Sequence, residues 1–262
     1  MLTTRFVTGA PDWIEVGVAD PDGAASFYRA LFGWRFRPGA GPADGGLFER
    51  EGAVVAGGRR TAQATTAEPS AWTVYFRSPD PEAAAEISRR SRGEVLRAAA
   101  RDAEGAVTAL LRDRTGAVFG VRRPGRRAGV EAAGVPGALC WTELYTADVA
   151  AAAAYYRAVL GLDTSGVTFP GGVYTCVEPG GAEEEAMFGG LAALADDPVE
   201  TVPRWLPYFA VPDTDAVVAR TLELGGEVPL PATDVEGVGR LARLADPWGA
   251  RFAVLTPAPR QA

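Results

Sequence analysis

Two short segments of the sequence place a tryptophan two residues before a glutamate. Trp13 precedes Glu15 in one segment, and Trp141 precedes Glu143 in the other, where Tyr145 continues the spacing. Alternate residues of a strand share one face, so each segment would present its ring and its carboxylate together. Such a face suits a planar, partly apolar ligand that stacks on the ring and pairs a hydroxyl or an amine with the carboxylate. Glu15 and Glu143 are also candidate general bases for a metal-free reaction.

Histidine is absent from the chain, which excludes a histidine base and a Ser-His-Asp triad. Zn, Fe, Co and Ni sites use nitrogen or sulfur ligands, and the sequence offers only Cys140 and Cys176, outside any CxxC motif. We expect both cysteines to be reduced thiols. A carboxylate-only Mg or Mn site needs two carboxylates on one face, whereas Glu15 and Glu143 supply one each. We therefore expect a protein without a metal or another cofactor.

Both segments belong to an internal repeat. Residues near Trp13 recur 128 positions later, and residues near Trp72 recur 133 positions later. The recurring residues of the first copy are Trp13, Glu15, Asp20, Tyr28, Arg29, Ala30, Gly33, Trp72, Tyr75, Phe76, Asp80, Asp113, Gly116, Ala117 and Phe119. We predict a first domain over residues 1–123 and a second over residues 138–262. The segment 124–137 is rich in Pro, Gly, Arg and Ala, which predicts a linker.

Each copy contains two units in which a strand-like run leads to an aspartate, an alanine-rich helix, a glycine and further strands. The aspartates expected to cap the four helices are Asp20, Asp80, Asp148 and Asp213. Tight turns are expected at residues 113–116 and 246–249. Four βαβββ units place the chain in the α+β class. The units must pair, because a single such sheet leaves an apolar face bare.

The repeated motifs resemble those of a known superfamily. Residues 27–34 (FYRALFGW), 155–162 (YYRAVLGL) and 246–250 (DPWGA) resemble the vicinal oxygen chelate superfamily, which includes glyoxalases, bleomycin-resistance proteins and extradiol dioxygenases. The resemblance covers nearly the whole chain in tandem, as in members that accompany natural-product pathways in actinomycetes. It implies two tandem glyoxalase/bleomycin-resistance-like domains, each with a curved mixed sheet around a cup for ligand or metal.

Metal-dependent members of that superfamily carry a histidine seven residues before the helix-capping aspartate and a glutamate seven residues after the turn aspartate. The corresponding residues here are Trp13, Thr73, Gly120, Trp141, Leu206 and Ala253. Because no histidine or carboxylate occupies these positions, the chain is not expected to be a metal-dependent glyoxalase or dioxygenase.

The superfamily geometry places five residues in each cup. The residues expected in the first cup are Trp13, Glu15, Thr73, Tyr75 and Arg77, and those expected in the second are Trp141, Glu143, Tyr145, Leu206 and Tyr208. Alternatively, the tryptophans fill both cups as core, and Arg77 pairs with Glu15 as a structural ion pair. The arginines Arg122, Arg123, Arg126 and Arg127 are expected to be solvated beside the linker.

The favoured function is metal-independent binding of a hydrophobic or aromatic small molecule, either for drug sequestration and resistance or for holding a natural-product intermediate. The alternatives are a metal-free lyase, isomerase or oxygenase accessory with a glutamate base, and a surface-interaction protein with closed cups. A net charge of −7 argues against nucleic-acid or anionic-membrane partners. The opening residues lack the apolar core of a signal peptide and no stretch approaches a membrane span, so we expect a cytoplasmic monomer or homodimer.

Overall fold

The computed structural model describes residues 2–39, 45–61, 70–169, 172–182 and 186–259. Four βαβββ units follow one another in these residues, as the repeat predicts. The strands are β1 (Pro11–Val18), β2 (Arg35–Pro38), β3 (Gly46–Arg50), β4 (Ala53–Arg60), β5 (Trp72–Arg77), β6 (Glu94–Arg101), β7 (Val107–Arg112), β8 (Val118–Arg123), β9 (Leu139–Thr146), β10 (Leu162–Phe169), β11 (Gly172–Pro179), β12 (Gly189–Ala193), β13 (Arg204–Ala210), β14 (Glu227–Val235), β15 (Gly239–Ala245) and β16 (Arg251–Pro257). The helices are α1 (Pro21–Phe32), α2 (Pro81–Arg90), α3 (Val149–Leu160) and α4 (Thr214–Glu223).

The strands form two mixed sheets of eight strands each, which confirms the α+β class and the tandem architecture. The first sheet has the order β2-β3-β4-β1-β5-β8-β7-β6, and the second has the order β10-β11-β12-β9-β13-β16-β15-β14. In every βαβββ unit the first strand pairs in parallel with the last, and the other pairs are antiparallel. No helix in the described ranges is both long and apolar enough to cross a lipid bilayer.

The chain divides into two compact units. The first compact unit contains residues 1–13, 73–130 and 141–206, and the second contains residues 14–72, 131–140 and 207–262. Each compact unit therefore includes one βαβββ unit from each repeat. The domain limits at residues 123 and 138 stay a prediction.

All four helices begin at the predicted aspartates. Each carboxylate accepts a hydrogen bond from the backbone N–H three residues later, at 2.9–3.0 Å. These caps satisfy backbone donors that have no partner within the helix. Gly33 and Gly161 end α1 and α3 in the left-handed conformation, with φ of 73° and 69°, which glycine adopts without steric cost.

The repeated tyrosine of α1 is a buried structural residue of the second compact unit. Tyr28 donates its hydroxyl hydrogen to Oδ2 of Asp246 at 2.9 Å, and Oδ1 of Asp246 accepts the backbone N–H groups of Trp248 and Ala250. Burial raises the pKa of Asp246 to about 6 and holds the pKa of Tyr28 well above its usual range. The aspartate therefore both closes the tight turn and anchors the helix.

The repeated tyrosine of α3 makes the same contact within the first compact unit. Tyr156 donates to Oδ2 of Asp113 at 2.9 Å, and its oxygen accepts the indole N–H of Trp205 at 2.8 Å. All three side chains are buried. The sequence repeat in these tyrosines and aspartates thus preserves a core contact.

The raised pKa of Asp246 makes its contribution to stability depend on pH. The folded state favours the protonated carboxyl, so this contribution is full below about pH 4 and is lost as the pH rises through about 6. Relative to Asp246→Asn, the wild-type free energy of unfolding should fall by about 2 kcal/mol between pH 4 and pH 7. Urea denaturation of both proteins across this range measures the difference. Parallel curves would contradict the assignment.

Candidate binding face of the second repeat

Three side chains alternate along β9 and share one face of the strand. Trp141 is half-buried, Glu143 is 9% exposed and Tyr145 is fully buried. The intervening Thr142 and Leu144 are buried on the opposite face. The structure therefore brings together the three residues that the sequence predicts on β9.

A fourth residue, Tyr174 of β11, links these side chains by hydrogen bonds and was not predicted from the sequence. Its hydroxyl donates to Oε1 of Glu143 at 2.6 Å, and its oxygen accepts the indole N–H of Trp141 at 3.3 Å. Tyr145 donates its hydroxyl hydrogen to Oε2 of Glu143. One carboxylate thus accepts hydrogen bonds from two tyrosine hydroxyls.

The position of Tyr174 depends on a glycine in the neighbouring strand. Gly190 of β12 lies level with Glu143 in a parallel pair, and a Cβ atom built on Gly190 would lie 1.9 Å from the Tyr174 hydroxyl oxygen. The tyrosine therefore occupies the space that a side chain at position 190 would fill. A glycine inside a strand often marks such a close approach, and this was the sequence signal that could have located Tyr174.

An apolar side chain extends this face toward the sheet edge. Val167 of β10 pairs directly with Tyr174 in the antiparallel ladder, so both side chains point to the same side of the sheet. Val167 is 45% exposed, and Trp141 and Tyr174 are half-buried. The binding face, defined here as Trp141, Glu143, Tyr145 and Tyr174, therefore combines accessible aromatic surface with a buried carboxylate.

The corresponding tryptophan and glutamate of the first repeat contact arginines. Arg59 of β4 donates to Glu15 at 3.0 Å, and the guanidinium carbon of Arg122 lies 5.4 Å from the centre of a Trp13 ring. The tryptophan and the glutamate of the first repeat therefore lie beside guanidinium groups, whereas those of the second repeat are hydrogen-bonded to tyrosines.

Arg77 and Arg122 converge on Asp12, which the sequence analysis did not single out. Asp12 is fully buried, and its Oδ2 lies 3.1 Å from Arg122 and 3.3 Å from Arg77. Burial raises the pKa of Asp12 to about 7, against the lowering effect of both guanidinium groups. Arg122 and Arg77 also donate to backbone carbonyls of residues 127–128, so the cluster fixes the predicted linker onto β1 and β8.

The structure gives the two arginines other partners than the sequence suggests, and the expectation that Arg122 is solvated is wrong. Arg77 contacts Asp12, Ala128 and the ring of Phe6, whereas Arg59 pairs with Glu15. Arg122 is 5% exposed instead of solvated, because Asp12 and two carbonyl oxygens compensate the loss of its hydration.

The remaining predicted site residues are largely buried. Thr73, Tyr75, Leu206 and Tyr208 are 7%, 2%, 1% and 4% exposed. Tyr75 lies level with Gly120, where a Cβ atom would overlap its ring, and its hydroxyl accepts a hydrogen bond from Arg97 at 3.2 Å. These positions are packed, and their part in binding stays a prediction.

The chain matches proteins of known families along its length. Residues 141–255 match the glyoxalase-like domain model. The chain is 32% identical over 264 residues to CFP32 of Mycobacterium tuberculosis, a protein named as a glyoxylase by similarity, and 98% of each chain is covered. It is 35% identical over 271 residues to the anthracycline biosynthesis protein DauV of Streptomyces sp. strain C5, covering 96% of this chain and 94% of DauV. Among solved structures, the Mn(II)-bound glyoxalase from Novosphingobium aromaticivorans superimposes with a TM-score of 0.62 at 15% identity, over 95% of this chain and 83% of that one.

These similarities agree with the tandem βαβββ architecture and its repeated motifs. The fold is that of the vicinal oxygen chelate superfamily, and the chain belongs to its glyoxalase-like family.

The superfamily fold implies a metal that the residues of this chain do not fit. The six expected ligand positions carry Trp13, Thr73, Gly120, Trp141, Leu206 and Ala253. Five of these side chains offer no oxygen, anionic sulfur or imidazole ligand, and a threonine hydroxyl alone is a weak one. Within the described residues, no cluster of three or more Cys, Asp or Glu side chains is arranged to hold an ion.

Proposed function

We propose that this protein binds an aromatic small molecule without a metal, as an accessory to a natural-product pathway. The observation that carries the proposal is the binding face, where Trp141 and Tyr174 flank a carboxylate held by two tyrosine hydroxyls. The ligand would be sequestered in the cytoplasm, either as a drug to be kept from its target or as a product held for the next enzyme.

The composition of this face favours a planar ligand with a hydrogen-bond donor. Micromolar affinity corresponds to about 8 kcal/mol, which burial of roughly 300 Å² of apolar surface could supply before ordering costs. Trp141, Tyr174 and the exposed Val167 offer such surface. Because the tyrosine hydrogens are directed to Glu143, the polar atoms here act as acceptors, which suits a ligand hydroxyl or amine.

The relatives support an aromatic natural product as the ligand. DauV is named for anthracycline biosynthesis, and its similarity extends over 96% of this chain. Anthracyclines are polycyclic and aromatic, so they carry the flat ring surface that stacking on Trp141 requires. The residues at the six positions where the superfamily holds its metal are poor metal ligands. We therefore propose a mode of binding that does not depend on a metal.

The first test is tryptophan fluorescence titration against anthracyclines and simpler anthraquinones bearing a hydroxyl or an amine. We expect saturable quenching at micromolar ligand, since Trp141 lies in the binding face. Val173→Ala is a matched control, because Val173 neighbours Tyr174, points to the other side of β11 and is 69% exposed. Absence of quenching across the panel would contradict the proposal.

A second candidate function is proton transfer, favoured by the short Tyr174–Glu143 hydrogen bond of 2.6 Å. In this case Glu143 would accept a proton from the ligand and Tyr174 would donate one to a ligand oxygen, without change of oxidation state. The hydrogen bond between the two side chains would then return the proton from Glu143 to Tyr174. Chromatography of each bound ligand after incubation distinguishes the two functions. Recovery of unchanged ligand supports binding alone, and a product that Glu143→Gln forms at the full rate excludes this base.

A further inference from the structure

The two repeats offer an internal comparison of equivalent positions. Glu15 lies level with Gly57 of β4, and Glu143 lies level with Gly190 of β12, each in a parallel pair. The next strand places Leu47 beside Gly57 and Cys176 beside Gly190. These registers identify the residue of the first repeat that corresponds to each side chain around Glu143.

Both tyrosines that donate to Glu143 are glycines in the first repeat. Gly17 corresponds to Tyr145 along the first strand. Gly45 lies two residues before Leu47, and Tyr174 lies two residues before Cys176, so Gly45 corresponds to Tyr174. Gly45 has a φ of 66°, and a Cβ atom there would lie 1.9 Å from the carbonyl oxygen of Gly58. The first repeat therefore has no space for a tyrosine at this position.

Arginines take the place of the tyrosines as partners in the first repeat. Arg59 pairs with Glu15 at 3.0 Å, and the register places Ala192 at the equivalent position of β12. Arg122 covers Trp13, and the repeat offset places Leu255 at its equivalent. The glutamate and tryptophan of the first repeat are thus engaged by guanidinium groups of the chain itself.

We infer that ligand binding is confined to the second repeat, with one aromatic molecule per chain, and that Tyr174 determines this difference. The inference rests on the proposed function and adds its stoichiometry and its specificity-determining residue. Tyr174 both widens the aromatic surface beside Trp141 and orients Glu143, and only a glycine at position 190 leaves space for it. In the first repeat the ion pairs of Glu15 and Asp12 serve the fold.

Isothermal titration calorimetry with 2-(hydroxymethyl)anthraquinone and its methyl ether tests this inference. Wild-type protein should bind one alcohol molecule per chain and prefer it to the ether. Tyr174→Phe, which keeps the ring and removes the hydroxyl, should weaken binding of the alcohol about 10-fold. Gly190→Ala should weaken binding of both molecules by at least as much, because the methyl group displaces the whole tyrosine side chain. Val173→Ala is the matched control, and thermal unfolding checks that each variant is folded.

The outcomes separate this inference from the proposed function. Two binding sites per chain, one of them lost in Trp13→Ala, would overturn the inference and leave the proposed function intact. Unchanged affinity in a folded Tyr174→Phe would overturn the role of Tyr174. Wild-type protein that binds neither molecule nor any anthracycline would overturn the proposed function, and the inference with it.

Discussion

Replacing Trp141 with alanine is expected to weaken ligand binding about 30-fold, or about 2 kcal/mol. The substitution removes the half-buried indole ring that we propose as the stacking surface, together with its N–H bond to Tyr174. Aromatic side chains at the centre of an interface commonly dominate its binding energy. Fluorescence of a bound anthraquinone, or calorimetry, measures the affinity without relying on the deleted tryptophan.

Trp141→Phe provides the graded comparison for this result. It retains an aromatic ring and loses only the indole N–H, so we expect a loss of about 5-fold, as for one neutral hydrogen bond. Equal affinity in wild-type, Trp141→Phe and Trp141→Ala proteins, all folded, would show that the ligand binds elsewhere.

Replacing Arg122 with methionine is expected to lower the free energy of unfolding by about 3 kcal/mol at pH 8. The change leaves the buried Asp12 with Arg77 as its remaining cation, which places the cost at the lower end of the ~3–5 kcal/mol range for broken buried ion pairs. The pKa of Asp12 is about 7, so the carboxyl can be protonated at pH 5. We therefore expect a smaller loss at pH 5 than at pH 8, measured by urea denaturation at both values.

The double variant Asp12→Asn/Arg122→Met is the control for this result. Removing the carboxylate charge as well should recover most of the stability at pH 8, because no uncompensated charge stays buried. A loss that is equal at both pH values and unchanged in the double variant would contradict an electrostatic origin.

The sequence was sufficient to predict the elements of the fold. Asp20 and Gly33 mark the two ends of α1 through local hydrogen bonding and backbone preference, and such signals need no tertiary information. The same two signals recur in the second repeat, where Asp148 and Gly161 mark the two ends of α3. How the βαβββ units combine into compact units depends on long-range packing, which strand periodicity does not specify.

The candidate site could be predicted only in part. Strand alternation was sufficient to place Trp141, Glu143 and Tyr145 together, because they lie on one strand. Tyr174 lies 31 residues from Glu143 in the sequence, and its counterpart in the first repeat is a glycine, so the repeat gave no indication of it.

The arginine contacts were also beyond local sequence reasoning. In the sequence, nothing distinguishes Asp12 from other polar residues near the start of a strand. Its partners Arg77 and Arg122 lie 65 and 110 residues later in the sequence. Charge patterns favour solvent exposure for arginines near a linker. Burial here follows from three charged groups meeting beside the linker carbonyls, which only the folded chain shows.

Metal-free binding is the central claim, and one titration tests it most directly. Wild-type protein is treated with a chelator and dialysed, and its affinity for an anthracycline is measured by fluorescence quenching with and without added Mn(II). We predict the same micromolar affinity in both conditions, lost in Trp141→Ala. Binding that appears only after Mn(II) is added would contradict the claim and show that the chain holds a metal by ligands outside the six expected positions.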